Sequence, residues 1–211
     1  MGVRERITIG KAPIGWAQEV VTRHHYLHRP IHPRAHPFAY AIRLDGGIVG
    51  TIIVATVHFT RLRGLFGYPG LPTKWQVLQV ARVWITPEVQ SLTVTDRHGR
   101  THTMPIASRA LALMLRRVQR DWLEHHPPRF PDRPYHIRLV LAYADTGQGH
   151  EGTIYKAANF RLWGMTRNNR RRHGTRGSSS GTVKLLYVYE LPEPRWQPPL
   201  QLMLPIYMEG G

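Results

Sequence analysis

Residues 141–160 read LAYADTGQGHEGTIYKAANF. The apolar run from Leu139 to Ala144 meets a glycine-spaced turn and then a segment of helical character, so the stretch reads strand, turn, helix. Gly147, Gly149 and Gly152 stand in the spacing G-x-G-x-x-G, which opens many dinucleotide-binding sheets. Such a sheet also needs a ribose-binding carboxylate about 20 residues on, at the end of a second parallel strand. This chain has NNRRRHGTRG there. Only roughly 60 residues follow the motif, too few for a complete doubly wound domain. The glycines are therefore read as turn makers, Gly147 and Gly149 for a tight turn and Gly152 for a close approach of helix to sheet. The polar residues among them remain to be explained. Asp145 ends the strand, His150 sits in the turn and Tyr155 lies one helical turn after Glu151. A strand end beside a helix N-terminus is where open α/β sheets bind ligands.

Near the N-terminus, RERITIG predicts a first strand. IGWAQEVVTRHHY places Ile14, Ala17, Val20 and Val21 on one helical face, and this helix should stop before Pro30. FAYAIRLDGGIVGTIIVATVHF predicts two strands around DGG, a hairpin signal. WQVLQVARVWIT predicts a further strand ending at Pro87. Ala107, Ala110, Leu111, Met114, Leu115, Val118 and Trp122 then follow helical spacing, which predicts one long helix. HIRLVLAYAD, GHEGTIYKAANF, RLWGMT and VKLLYVYEL complete the chain as strand, helix, strand and strand. The order β-α-β-β-β-α-β-α-β-β predicts a mixed α/β domain, largely antiparallel before a late β-α-β passage. It matches the order of the GNAT acyltransferase fold. One catalytic domain is expected over residues 1–191, with a basic mobile loop at 167–182 inserted between the last two strands and a Pro-rich tail over 192–211.

The 211 residues carry 29 Lys plus Arg against 13 Asp plus Glu, a net charge of +16, and 42% are apolar. A surplus of this size calls for a polyanionic partner, and the preponderance of Arg suits phosphates and base edges. Double-stranded DNA is the expected partner. The candidate contacts are Arg167, Arg170, Arg171, Arg172 and Arg176 in the basic loop, with Arg116 and Arg120 on the long helix. The chain has no cysteine, which excludes a disulfide framework, a thiolate metal site and a cysteine nucleophile. No window reaches the roughly 20 apolar residues of a membrane span, and the first residues lack a signal-like apolar core. A cytoplasmic protein with no membrane partner is expected, in the host cytoplasm if a phage encodes it. The sequence leaves the oligomeric state open and is compatible with a homodimer.

The stretch YADTGQGHEGTIYKAANF closely resembles the signature of the Mom family of phage DNA-modification proteins, with its Tyr-Ala-Asp, Gly-His-x-Gly-Thr-Ile-Tyr and Ala-x-Asn-aromatic elements in order. HHYLHRP resembles the family's His-Tyr element, and VARVWI its aliphatic-x-Arg-aliphatic-Trp strand. The resemblance implies a GNAT-like fold and conversion of adenine in DNA to N6-carbamoylmethyladenine, which shields phage DNA from restriction. By matched position it implicates Tyr26, Arg82, Asp145 and Tyr155, and by a looser match Ser108, since the preceding RHGRTHTMPIA departs from the family pattern.

The chemistry these residues offer suits that reaction. Adenine N6 is a poor nucleophile because its lone pair is delocalised into the ring, so an enzyme must orient it and accept its proton. Asp145 is the expected acceptor for a flipped adenine, directly or through water; capping the following turn is its structural alternative. Tyr26 and Tyr155 would stack on the base or donate a proton to a leaving group. Arg82, among Val80, Val83 and Trp84, needs a carboxylate or a bound anion, and Asp145 is the expected partner. His150 completes the catalytic candidates. Gly147, Gly149 and Ser108 are the candidate cofactor-binding residues. Acetyl-CoA follows from the fold, yet the Q/R-x-x-G-x-G/A loop that would grip its pyrophosphate is missing, and the product is joined through an alkyl carbon, so an aminoacyl-tRNA donor stays open. His24, His28, His32 and His36 recur every fourth residue. Pro30 and Pro33 break a helical ladder, leaving His24 and His28 as the one metal-binding pair to consider. Two rival readings are acylation of RNA or aminoacyl-tRNA by a GNAT-like protein, and a non-catalytic DNA-binding protein.

Overall fold

The computed structural model describes residues 6–57, 65, 74–95, 98–125, 136–166 and 183–192. The basic segment 167–182, with Arg167, Arg170, Arg171, Arg172 and Arg176, and the tail beyond 192 lie outside them. Among the described residues the main sheet has seven strands: β1 (Ile7–Ala12), β2 (Phe38–Leu44), β3 (Gly47–Thr56), β4 (Val77–Ile85), β7 (Leu139–Asp145), β8 (Arg161–Thr166) and β9 (Lys184–Glu190). Their spatial order is β1-β2-β3-β4-β7-β9-β8. Every neighbouring pair is antiparallel except β4 with β7, the two strands joined through a helical crossover.

The hairpin forms as DGG predicts. Asp45 and Gly46 both take positive φ, 50° and 85°, as the tightest two-residue hairpin turn requires. In β3, Ile52, Ile53 and Val54 are all buried, a continuous apolar run because the sheet is covered on both faces. Helix α1 (Ile14–His24) seats Ala17 and Val21 against Ala39, Ile53 and Ala55 on one face. On the other face, helices α3 (Ile106–Leu115) and α4 (Val118–His125) seat Ala110, Leu111, Met114 and Val118 against Tyr40, Ile42, Ile52, Val54 and Leu78.

The single long helix expected from Ala107 to Trp122 is two. Around Arg116 the bonding tightens, Arg117 N–H donating to Met114 O at 3.1 Å. The apolar spacing continues across the break because Val118 and Trp122 rejoin the buried face, so periodicity alone cannot show it. Past the break, Asp121 is 1% exposed. It accepts from Tyr40 Oη at 3.1 Å and from the Arg117 guanidinium. Segment 86–105, read without elements, holds a short helix α2 (Pro87–Gln90) and a two-stranded ribbon, β5 (Thr93–Thr95) with β6 (Thr101–Thr103). Among the described residues no helix is long and apolar enough to cross a membrane.

Candidate active site

The site begins where the sheet divides. β4 and β7 pair from Val77 with Leu139 to Val80 with Ala142 and no further. Beyond that point β4 stays with β3 and β7 stays with β9. A bulge starts the divergence: Ile53 faces Arg82 while Val54 faces Val80, leaving Ala81 as the extra residue on β4. The open fork holds a cavity of about 1410 Å³. Its wall takes Arg82 and Trp84 from β4, His25 and Tyr26 from the end of α1, Ser108 from the start of α3, and His150 with Tyr155 from the glycine turn and the helix after it. That helix is α5 (Thr153–Ala157).

The three glycines each have a structural task, as the turn-maker reading predicts. Gly147 N–H donates to Asp145 Oδ1 at 3.1 Å, and Gly149, at φ 69°, closes the single turn Thr146–Gln148. Gly152, at φ 74°, lies against Tyr187 of β9; a Cβ there would stand 2.2 Å from the ring. Tyr187 Oη donates to Glu151 O at 2.7 Å, fixing the start of α5 over the sheet. The strand beside β7 on this side is the antiparallel β9, so the second parallel strand of a dinucleotide fold is not there.

Asp145 caps the turn, and its other oxygen, Oδ2, lies 3.2 Å from Lys184 Nζ. At 1% exposure the carboxylate sits behind the cavity wall, while Lys184 is on it. Arg82 donates through Nη1 to Ala81 O at 2.7 Å and lines the cavity. It belongs to the same electrostatic cluster: the Tyr26 hydroxyl is pushed up by burial and by Asp145, and pulled down less strongly by Arg82 and Arg29. Burial, followed by the proximity of Tyr26, likewise pushes Tyr155 well above the ordinary phenol range, so its hydroxyl keeps its proton. Its ring packs against Phe160 and Tyr187, each centroid 5.6 Å away.

At the mouth, the His25 ring stacks on Tyr26 at 4.4 Å, and Tyr26 tilts against His150 at 5.9 Å. His25 Nδ1 accepts from Leu27 N–H at 3.2 Å. Burial first, then Arg82, His150, His28 and Lys184, lower its pKa to about 4, so it is neutral near pH 7. Ser108, 9% exposed, donates from Oγ to Pro105 O at 3.3 Å.

The fork thus gathers Tyr26, Arg82, Ser108, His150 and Tyr155 on one cavity wall and sets Asp145 behind it. It does not gather the histidine pair. α1 ends at His24, whose ring stacks on Trp84 at 4.9 Å, and His28 takes φ 42°, so the two do not share a helix face. Among the described residues no group of three His, Asp or Glu is placed to hold a metal ion. Arg116 and Arg120 are exposed on the outer side of the α3–α4 break, and Arg120 Nε lies 3.7 Å from Glu124. Sequence reading missed Lys184 and His25. His25 adjoins the quoted His-Tyr element, but nothing there signals its neutral form. Lys184 faces Asp145 in the β7–β9 register across the long basic insertion, a separation no local pattern spans.

A mixed sheet that forks beside its one parallel pair, with helices on both faces, defines the GNAT acyltransferase class of fold. Solved structures agree. The ribosomal L7/L12 α-N-protein acetyltransferase RimL superposes with a TM-score of 0.50 at 11% identity, covering 90% of this chain and 96% of that one. The putative acetyltransferase yncA from Salmonella typhimurium, solved with acetyl-CoA, gives 0.51 at 8% identity over 90% and 97%. The ribosomal-protein-S5-alanine acetyltransferase from Vibrio fischeri gives 0.50 at 11% identity over 92% and 96%. No curated protein sequence matches the chain. The model of the Mom protein family matches residues 6–182, and the chain belongs to that family.

Proposed function

We propose that this protein modifies DNA, transferring a carbamoylmethyl unit to N6 of adenine and so protecting the DNA from restriction. The observation that carries the reading is the meeting of Tyr26, Arg82, Ser108, His150 and Tyr155 around one forked cavity of about 1410 Å³ in a chain of the Mom family. Its volume lies above the usual range for a small-molecule site, roughly 300–1,000 Å³, which leaves room for an extruded base together with a donor.

In this reading the adenine is flipped out of double-stranded DNA and lies against Tyr26, whose ring is already one member of a stack with His25. His150, beside Tyr26 at the mouth, takes the proton from N6 as the new N–C bond forms. Tyr155 keeps its proton at neutral pH and gives it to the group X that leaves the methylene carbon of a donor X–CH2–CO–NH2 as N6 bonds to that carbon. Asp145 fixes the turn that carries His150, whose N–H donates to Asp145 O at 3.2 Å. The exposed Arg116 and Arg120, with the arginines of segment 167–182, take the DNA phosphates.

Acetyl-CoA is the coenzyme the fold suggests by analogy. The residues present fit an anionic coenzyme: α3 starts on the cavity wall with no acidic residue in its first turn. Ala107 and Ser108 would hold its pyrophosphate there, without the glycine-rich loop, whose spacing is missing from segment 86–105. When bound, it would supply an activated two-carbon acyl unit; transfer of that unit alone gives N6-acetyladenine, so the amide nitrogen and the N6–methylene bond of the carbamoylmethyl product require a further, nitrogen-containing co-substrate. Digestion of DNA from expressing cells, followed by nucleoside mass spectrometry, tests the proposal, because acetylated and carbamoylmethylated deoxyadenosine differ in mass.

A further inference from the structure

The charge along the cavity wall is unbalanced. Arg29, Arg82 and Lys184 line it, and among its described lining residues Glu151 supplies the one carboxylate. Asp145, 1% exposed, is not among the lining residues. Lys184 opens β9 directly across from Asp145 in the antiparallel register. Its Nζ lies 3.2 Å from Asp145 Oδ2, with the carboxylate 1% exposed and the lysine side chain 30% exposed. The pair is therefore one-sided. Asp145 meets Gly147 N–H and Lys184 inside the wall, whereas an ammonium has three donors and Lys184 also borders the cavity. The lowered pKa of His25 is set first by burial, and Arg82 and Lys184 add to it.

We propose that Lys184 is a phosphate-binding residue of the cavity, and that Asp145 is a positioning residue that holds the Lys184 ammonium in place. This deepens the DNA-modification reading and rests on it for the phosphate's source. A compact ammonium on a wall short of carboxylates suits a phosphate oxygen. That phosphate belongs either to the DNA backbone beside the extruded nucleotide or to the pyrophosphate of a coenzyme. Asp145 then acts on the ligand through Lys184 and does not touch it.

The test uses the full chain and two probes, a short adenine-containing DNA duplex and coenzyme A, with circular dichroism to verify folding. Lys184→Met weakens one of the two probes about tenfold, the size of one charge-assisted hydrogen bond. Asp145→Asn weakens the same probe by a similar factor, the double variant is no weaker than either single one, and Lys184→Arg keeps most of the affinity. A loss confined to the duplex, with a salt dependence shallower by about one ion, assigns the backbone phosphate. A loss confined to coenzyme A assigns the pyrophosphate. Wild-type affinity for both probes in Lys184→Met overturns the proposal, and so does a double variant in which the two losses multiply, since Asp145 would then have a ligand contact of its own. Should Asp145→Asn not fold, the Lys184→Met and Lys184→Arg pair decides alone. Both readouts are binding, so a protein that loses affinity as described but leaves deoxyadenosine unmodified keeps this inference and loses the proposed reaction.

Discussion

Gly152 and Tyr187 are in contact so close that the glycine's α-carbon has no room for a methyl group: a Cβ would stand 2.2 Å from the ring, on a backbone at φ 74°. Tyr187 is fully buried and cannot move aside without disturbing β9. Gly152→Ala therefore combines overpacking with left-handed strain and should cost about 2–4 kcal/mol. Urea unfolding measures this; a loss under about 0.5 kcal/mol, the range of neutral surface changes, would contradict it.

Tyr155→Phe removes one hydroxyl from a ring held by Phe160 and Tyr187. The fold should survive and modification should slow by about a hundredfold or more, the contribution of a positioned proton donor. An unchanged rate would assign Tyr155 to packing alone.

Asp121 joins α4 to the sheet, taking Tyr40 Oη and the Arg117 guanidinium into a site where its own exposure is 1%. Asp121→Ala leaves both donors facing a vacated carboxylate position and should destabilise the fold by about 3 kcal/mol. The proposed reaction should be spared at temperatures where the variant remains folded, because the network lies outside the cavity.

His25 makes stability depend on acid. Its pKa is about 4 in the folded protein and about 6.5 when unfolded. Between those values the unfolded chain binds more protons, so stability rises with pH and is lost as pH falls from about 6.5 toward 4. Thermal melting over that range should show the decline in the parent protein and a flatter profile in His25→Gln.

Much of this architecture is legible in the sequence because the signals are local. The DGG turn, the apolar run of β3 and the helical spacing from Ala107 each report a short-range physical preference. The glycine turn was legible for the same reason, with Gly149 and Gly152 at positive φ where turn geometry demands them. What escaped needs distance or competition between elements. The break at Arg116 preserves the apolar face and so leaves no trace in periodicity. The Asp145–Lys184 pair depends on strand register across an insertion, and the fork depends on where β4 and β7 stop pairing. The sequence supplied Tyr26, Arg82, Ser108, His150 and Tyr155 as separate candidates; the divergence of two strands makes them one wall.

Nucleoside mass spectrometry of DNA from cells expressing the parent protein and its Tyr155→Phe variant at equal level decides whether the protein carbamoylmethylates adenine. With Tyr155 as the proton donor, the first yields deoxyadenosine carrying the carbamoylmethyl mass and the second about a hundredfold less. Unmodified deoxyadenosine in the presence of folded parent protein, or an acetyl mass in its place, would contradict the proposed reaction.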